Sequence, residues 1–142
     1  MTGLKTAIID IGSNTIRLVL YAYSEKEGLH EFGNIKTVAR LRTYLLSSGE
    51  MSEEGIQVLA DTLNSFRHIL ADYQVTDIKA VATAAVRQAI NNEEIIMRMK
   101  KETGITIDIL SGEEEAYYGF IAVAHSMDTP SAVTIDIGGG ST

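Results

Sequence analysis

The chain has no cysteine and no tryptophan, a single proline, and only three histidines in 142 residues. The missing cysteines exclude disulfides, thiolate metal sites and cysteine nucleophiles in one step. His30, His68 and His125 lack zinc-site spacing and read as ordinary surface or half-buried imidazoles. One proline in a chain that is 45% hydrophobic argues against disorder, collagen-like repeats and low-complexity linkers. Positive charge is scarce as well. Twelve Lys and Arg against 19 Asp and Glu give a formal net charge of −7, which argues against a nucleic-acid partner. The densest basic cluster, Arg98, Lys100 and Lys101, falls in the last turns of an expected helix and reads as a solvated terminus facing the dipole. No apolar run approaches the ~18 residues of a membrane span, and Met1 to Lys5 enter a strand with no signal-peptide pattern. The expected setting is therefore cytoplasmic, with no membrane contact.

What the chain does have is one statement made twice. Ala7-Ile8-Ile9-Asp10-Ile11-Gly12-Ser13-Asn14-Thr15 opens it, and Val133-Thr134-Ile135-Asp136-Ile137-Gly138-Gly139-Gly140-Ser141-Thr142 closes it. Each copy is an apolar strand delivering one Asp into a small, hydroxyl-rich turn. Two such carboxylates facing each other could hold a hydrated divalent cation and a phosphate chain between them. An acidic chain that handles an anion must use metal ions and backbone N–H groups more than bulk charge.

Thr6 to Asp10 is an apolar run of the kind found in a strand buried on both faces, at the centre of a sheet. Ile16 to Tyr23 and Leu29 to Arg40 read as two further strands, joined by the turn-like Ser24-Glu25-Lys26-Glu27-Gly28. After Ser47-Ser48-Gly49 the period changes from two to 3.6. Ser52 is an N-cap, and Ile56, Leu59, Leu63, Phe66, Leu70 and Tyr73 form a helical stripe. Strands at 78–82 and 105–110 then alternate with helices at 93–102 and 112–127, and 132–137 is a last strand. The order βββαβαβα predicts an α/β lobe of ribonuclease-H-like (actin-like ATPase) type, a mixed sheet flanked by helices. Residues 1–128 would form this lobe. Residues 129–142 would be a linker, then the first strand and phosphate loop of a second lobe cut short, so the chain is expected to be a fragment. The orphan strand 132–137 would be disordered, fold back, or pair with a second copy in a homodimer.

Four segments carry candidate chemistry. Asp10 ends a strand where open α/β sheets place their ligands, and Gly12, Ser13, Asn14 and Thr15 offer close approach and donors for a phosphate oxygen. An Asx or Ser turn between hairpin strands would use the same residues. Three consecutive glycines after Asp136 carry an entropic cost that tight wrapping of a ligand would explain, although a flexible terminus would also use them. Ser111 and Glu114 fit the S-x-x-E capping box, and Glu113 suits the helix dipole. Glu115 is left over as the candidate base, or as one more surface acid near a helix start. Arg87, an isolated cation in a small apolar stretch, suits bidentate phosphate capture or an ordinary ion pair.

Together, Asp10-Ile11-Gly12-Ser13-Asn14-Thr15, Thr83-Ala84-Ala85-Val86-Arg87-Gln88-Ala89, Ser111-Gly112-Glu113-Glu114-Glu115-Ala116 and Asp136-Ile137-Gly138-Gly139-Gly140-Ser141-Thr142 resemble the N-terminal part of the exopolyphosphatase and guanosine pentaphosphate phosphohydrolase family, within the actin-like phosphotransferase superfamily. The resemblance covers nearly the whole chain. It implies hydrolysis of a terminal phosphoanhydride bond, in polyphosphate or guanosine pentaphosphate, with Mg2+ in a cleft between two lobes. By the same resemblance Glu115 activates water, Asp10 and Asp136 hold the metal, Arg87 contacts phosphate, and Gly12, Ser13, Asn14, Thr15, Gly138, Gly139, Gly140 and Ser141 form the phosphate loops. Thr15 stands where the family often has Ser, which keeps the hydroxyl. With most of the second lobe absent, the chain alone should be poorly active or inactive. Two other classes share the Asp-containing turns: an ATP-dependent kinase of the superfamily, whose adenosine motif would lie beyond Thr142, and a non-catalytic sensor of a phosphorylated ligand.

Overall fold

The computed structural model describes residues 3–117. Strands β1 (Leu4–Ile11), β2 (Thr15–Ser24) and β3 (Gly28–Val38) are followed by helix α1 (Glu53–Asp72), β4 (Asp77–Ala82), helices α2 (Ala84–Gln88) and α3 (Asn92–Thr103), and β5 (Ile107–Ile109). A fourth helix, α4, begins at 112 and is described to 117. The five strands form one mixed sheet in the order β3-β2-β1-β4-β5, antiparallel from β3 to β1 and parallel from β1 to β5. This is the ribonuclease-H-like arrangement read from the sequence. The strand 132–137, most of the helix 112–127 and the boundary after residue 128 lie outside the described residues.

The alternation of side chains fixes which face of the sheet meets the helices. Ala7, Ile9 and Ile11 of β1, with Ile16, Leu18 and Leu20 of β2, are buried against Ile56, Leu59, Leu63, Phe66 and Leu70 of α1. Ile95 and Met99 of α3 complete the same core. The expectation that β1 is central holds, but burial on both faces does not. Leu4 and Ile8 point the other way and are 78% and 39% exposed, and Asp10 shares that exposed face.

Helix α1 starts where its cap requires, with the Gly55 N–H donating to the Ser52 hydroxyl at 3.2 Å. It ends before Tyr73, which caps the helix and meets Phe32 edge-on at 5.7 Å rather than extending the buried stripe. Arg98 is more than a solvated end group. It lies 2.7 Å from the Glu53 carboxylate and 3.3 Å from that of Glu102, joining α3 to the start of α1. The hydrogen bond to Glu53, reinforced by Glu102, raises its pKa above the ordinary arginine value. His30 and His68 are surface imidazoles as expected, and His125 lies outside the described residues.

The sequence reading missed two short elements, a single 3-10 turn at Leu41–Tyr44 and α2. Neither is long enough to show a helical period. Strand β3 also stops at Val38, two residues short of the predicted Arg40, because Arg40 turns into the left-handed region with φ 52°. The loop that follows is pinned at a distance. The Asn91 side chain accepts from Met51 N–H at 2.9 Å and donates to Met51 C=O at 3.1 Å, while Ile90 N–H donates to Gly49 C=O at 2.9 Å. Met51 is buried, so both of its backbone groups depend on that one amide. Asn91→Ala should therefore lower unfolding free energy by about 1–3 kcal/mol with no change in m-value, measured by urea denaturation.

Candidate active site

Three parallel strands end side by side, and the register decides what arrives there. Asp10 is the penultimate residue of β1, opposite Arg17 on β2 and Val81 on β4. Val81 in turn lies opposite Asp108 on β5. Beyond Asp10 the chain reverses in a tight turn closed by Gly12 N–H donating to Thr15 C=O at 3.0 Å. A Cβ at position 12 would stand 2.9 Å from that same carbonyl, which is why glycine occupies it. Ser13 is buried to 5% exposure, Thr15 is half-buried, and Asn14 is exposed.

The turn is tied on two sides. Thr83 N–H, immediately after β4, donates to Ile11 C=O at 3.1 Å. Ala39 and Arg40 N–H groups donate to Asn14 C=O at 3.1 and 2.9 Å, and Arg42 N–H donates to Ser13 C=O at 3.0 Å. The structure thus places Arg40 and Arg42 beside the turn. Sequence reasoning passed over both, and the Arg40-Leu41-Arg42 triplet in a chain short of cations was the available signal.

Arg87 and Glu115, 28 residues apart, are brought together. From α2, Arg87 Nη1 donates to Leu110 C=O at 2.8 Å and to Glu115 Oε2 at 3.3 Å. Both side chains are about one-quarter exposed, at 24% and 23%, so the pair is partly shielded from water. Leu110 is itself fixed to the neighbouring strand by its N–H, which donates to Ala82 C=O at 2.9 Å. The helix that carries Glu115 opens with the capping box read from the sequence. Glu114 N–H donates to the Ser111 hydroxyl at 3.0 Å, and Ser111 N–H donates to Glu114 Oε1 at 3.4 Å. Glu114 is thereby committed to the cap, and Glu115 faces Arg87.

The candidate site residues Asp10, Gly12, Ser13, Asn14, Thr15, Arg87 and Glu115 accordingly lie at one end of the sheet. Asp136, Gly138, Gly139, Gly140 and Ser141 lie outside the described residues. Among the described residues no group of three or more His, Asp or Glu side chains could cage a metal ion. An exposed single carboxylate is nevertheless a donor of the type Mg2+ takes, since that ion keeps waters and uses one or two carboxylates with substrate phosphates. Among the described residues no helix is long and apolar enough to cross a membrane.

A strand-end carboxylate, a glycine turn and an arginine-paired glutamate thus stand together at one end of a mixed sheet. Residues 21–142 match the model of the Ppx/GppA phosphatase family, and the chain belongs to that family. It is 31% identical over 140 residues to exopolyphosphatase 1 of Mycobacterium tuberculosis, covering 97% of this chain and 41% of that protein. It is 35% identical over 138 residues to the guanosine-5'-triphosphate,3'-diphosphate pyrophosphatase of Photobacterium profundum, covering 96% of this chain and 27% of that one. The crystal structure of an exopolyphosphatase from Cytophaga hutchinsonii superposes with a TM-score of 0.88 at 31% identity, over 96% of this chain and 44% of that one. The Ppx/GppA family member of Aquifex aeolicus superposes with a TM-score of 0.80 at 30% identity, over 89% and 41%. The chain therefore spans less than half the length of these relatives.

Gly12→Ala is expected to cost about 1–3 kcal/mol, because the new methyl must push Thr15 C=O away from its donor. Chemical denaturation of the variant, with circular dichroism to confirm that the sheet survives, checks it.

Proposed function

We propose that this chain is the first lobe of a two-lobed phosphohydrolase that removes the terminal phosphate of inorganic polyphosphate. In this reading residues 129–142 begin the second lobe, and the cleft between the lobes takes the anhydride. The observation that carries it is the Arg87–Glu115 pair, formed by two residues singled out for opposite roles toward one phosphoryl group. Support comes also from the relatives named exopolyphosphatase, which match over nearly all of this chain.

The residues divide the work by chemistry. Glu115 accepts the proton of the attacking water, which adds to the terminal phosphorus as the anhydride P–O bond breaks and the leaving phosphate chain takes the electron pair. Arg87 fixes the carboxylate and offers remaining N–H groups on the edge of its guanidinium to the phosphoryl oxygens. The Gly12–Thr15 turn and the Gly138–Ser141 segment supply N–H and hydroxyl donors. Asp10 and Asp136 would hold Mg2+, which when bound neutralises charge on the phosphate oxygens. The setting is cytoplasmic.

A second substrate, guanosine pentaphosphate, is favoured by the 35% identity to the Photobacterium pyrophosphatase. It offers the same terminal anhydride to the same residues. Phosphate release by the complete protein from polyphosphate, guanosine pentaphosphate and ATP, each with and without an acceptor, ranks these substrates. Transfer to an acceptor in place of water would overturn hydrolysis. Glu115→Gln in the complete protein should lower kcat at least ~10²-fold with KM little changed. Near wild-type turnover in that variant would remove Glu115 from its role.

A further inference from the structure

Arg40 has a backbone that does not suit it. Its φ of 52° and ψ of 47° lie in the left-handed region, which a side chain bearing Cβ enters only at an energetic cost. The other non-glycine residue with positive φ among the described residues, Gln74, has an ordinary explanation. It follows the cap of α1, where its own N–H donates to Ala71 C=O and the next N–H, of Val75, donates to Leu70 C=O. Arg40 ends no helix. It is held there by the first turn of the site, through its N–H on Asn14 C=O, and by Thr43, whose N–H and hydroxyl donate to Arg40 C=O at 3.0 and 2.7 Å. All of these contacts are made by the backbone of residue 40. Glycine or asparagine would make them with less strain, so folding alone does not call for arginine.

The guanidinium of Arg40 is exposed, and among the described residues it has no hydrogen-bond or ion-pair partner. Its counterparts on the helical face are occupied: Arg67 donates to Thr103 C=O, and Arg98 bridges two glutamates. The placement is also uneven. Of six arginines in a chain of net charge −7, four (Arg17, Arg40, Arg42 and Arg87) sit beside Asp10, beside the Gly12–Thr15 turn or at the adjacent strand ends.

We infer that Arg40 is a substrate-binding residue, whose guanidinium takes a phosphate oxygen of the phosphoanhydride chain beside the Gly12–Thr15 turn. This rests on the phosphohydrolase reading above. It assigns Arg40 to binding and not to the bond-breaking step, and so to KM in preference to kcat. Both candidate substrates present such oxygens, so the contact serves polyphosphate and the 5'-phosphates of guanosine pentaphosphate alike.

The test uses the complete protein as wild type, Arg40→Gly, Arg40→Lys and, as a charge control at the far end of the sheet, Lys26→Ala. Initial rates on polyphosphate and on guanosine pentaphosphate are read at two salt concentrations, with thermal unfolding of each variant. Arg40→Gly should raise KM about tenfold with kcat within about threefold, and its salt dependence should weaken. Its Tm should equal or exceed that of wild type, since the left-handed backbone suits glycine. Arg40→Lys should fall between the two, and Lys26→Ala should match wild type. An effect on one substrate only would assign the contact to that substrate. Wild-type KM in Arg40→Gly overturns the inference while leaving the hydrolase reading intact, as does a loss confined to kcat or a KM shift that Lys26→Ala reproduces. A wild-type protein that neither binds nor hydrolyses either substrate overturns both.

Discussion

The structure depends on where the carbonyl oxygens at the end of β1 go. A turn offered to an anion must turn its acceptors inward, since any carbonyl left pointing outward would repel a phosphate oxygen. Here Ile11 C=O is taken by Thr83, Ser13 C=O by Arg42, Asn14 C=O by Ala39 and Arg40, and Thr15 C=O by Gly12. Thr83, Ala39, Arg40 and Arg42 come from segments that the sheet order places alongside, and Gly12 belongs to the turn itself. The topology and the electrostatic character of the turn are thus one constraint: moving β4 or the 39–42 segment would leave those carbonyls without donors.

Much of this was legible in the residues. The switch of period from two to 3.6 locates α1, Ser52 locates its start, and the S-x-x-E box separates Glu114 from Glu115. Those signals are local, and local hydrogen bonds decide them. The convergence of Arg87 on Glu115 is different, because it depends on the β4–β5 register and on the main-chain oxygen of Leu110, a group that carries no residue identity. The same holds for Arg40. Nothing in Val38-Ala39-Arg40-Leu41 announces a left-handed backbone, and the residues that usually mark one, glycine and asparagine, are absent from it. Arg98 was misjudged for a related reason. Its partner Glu53 is 45 residues away, beyond any periodicity argument.

The charge pattern reconciles two observations that pull apart at first. A net charge of −7 is unfavourable for drawing in a polyanion, yet four arginines collect at one end of the sheet. Screening makes these compatible, since exposed charges farther apart than about 8–10 Å hardly feel one another at physiological salt. Any anion that approached that end of the sheet would meet the local set of donors, and bulk acidity acts mainly on solubility.

The parallel pairing of β1 with β4 has a consequence for how the molecule comes into being. The β1–β2–β3 meander joins neighbours through short turns, whereas β1 meets β4 across a separation of 71 residues, with α1 in between. Closing so long a loop carries an entropic penalty that the meander does not face, so the hairpins can assemble first and wait for the crossover to dock. The glycine turn is then shaped early, while Thr83, Arg87 and Glu115 reach it only when the last parallel strands are in register. A newly synthesised chain would gain its fold from the amino end onward and its Arg87–Glu115 pair last.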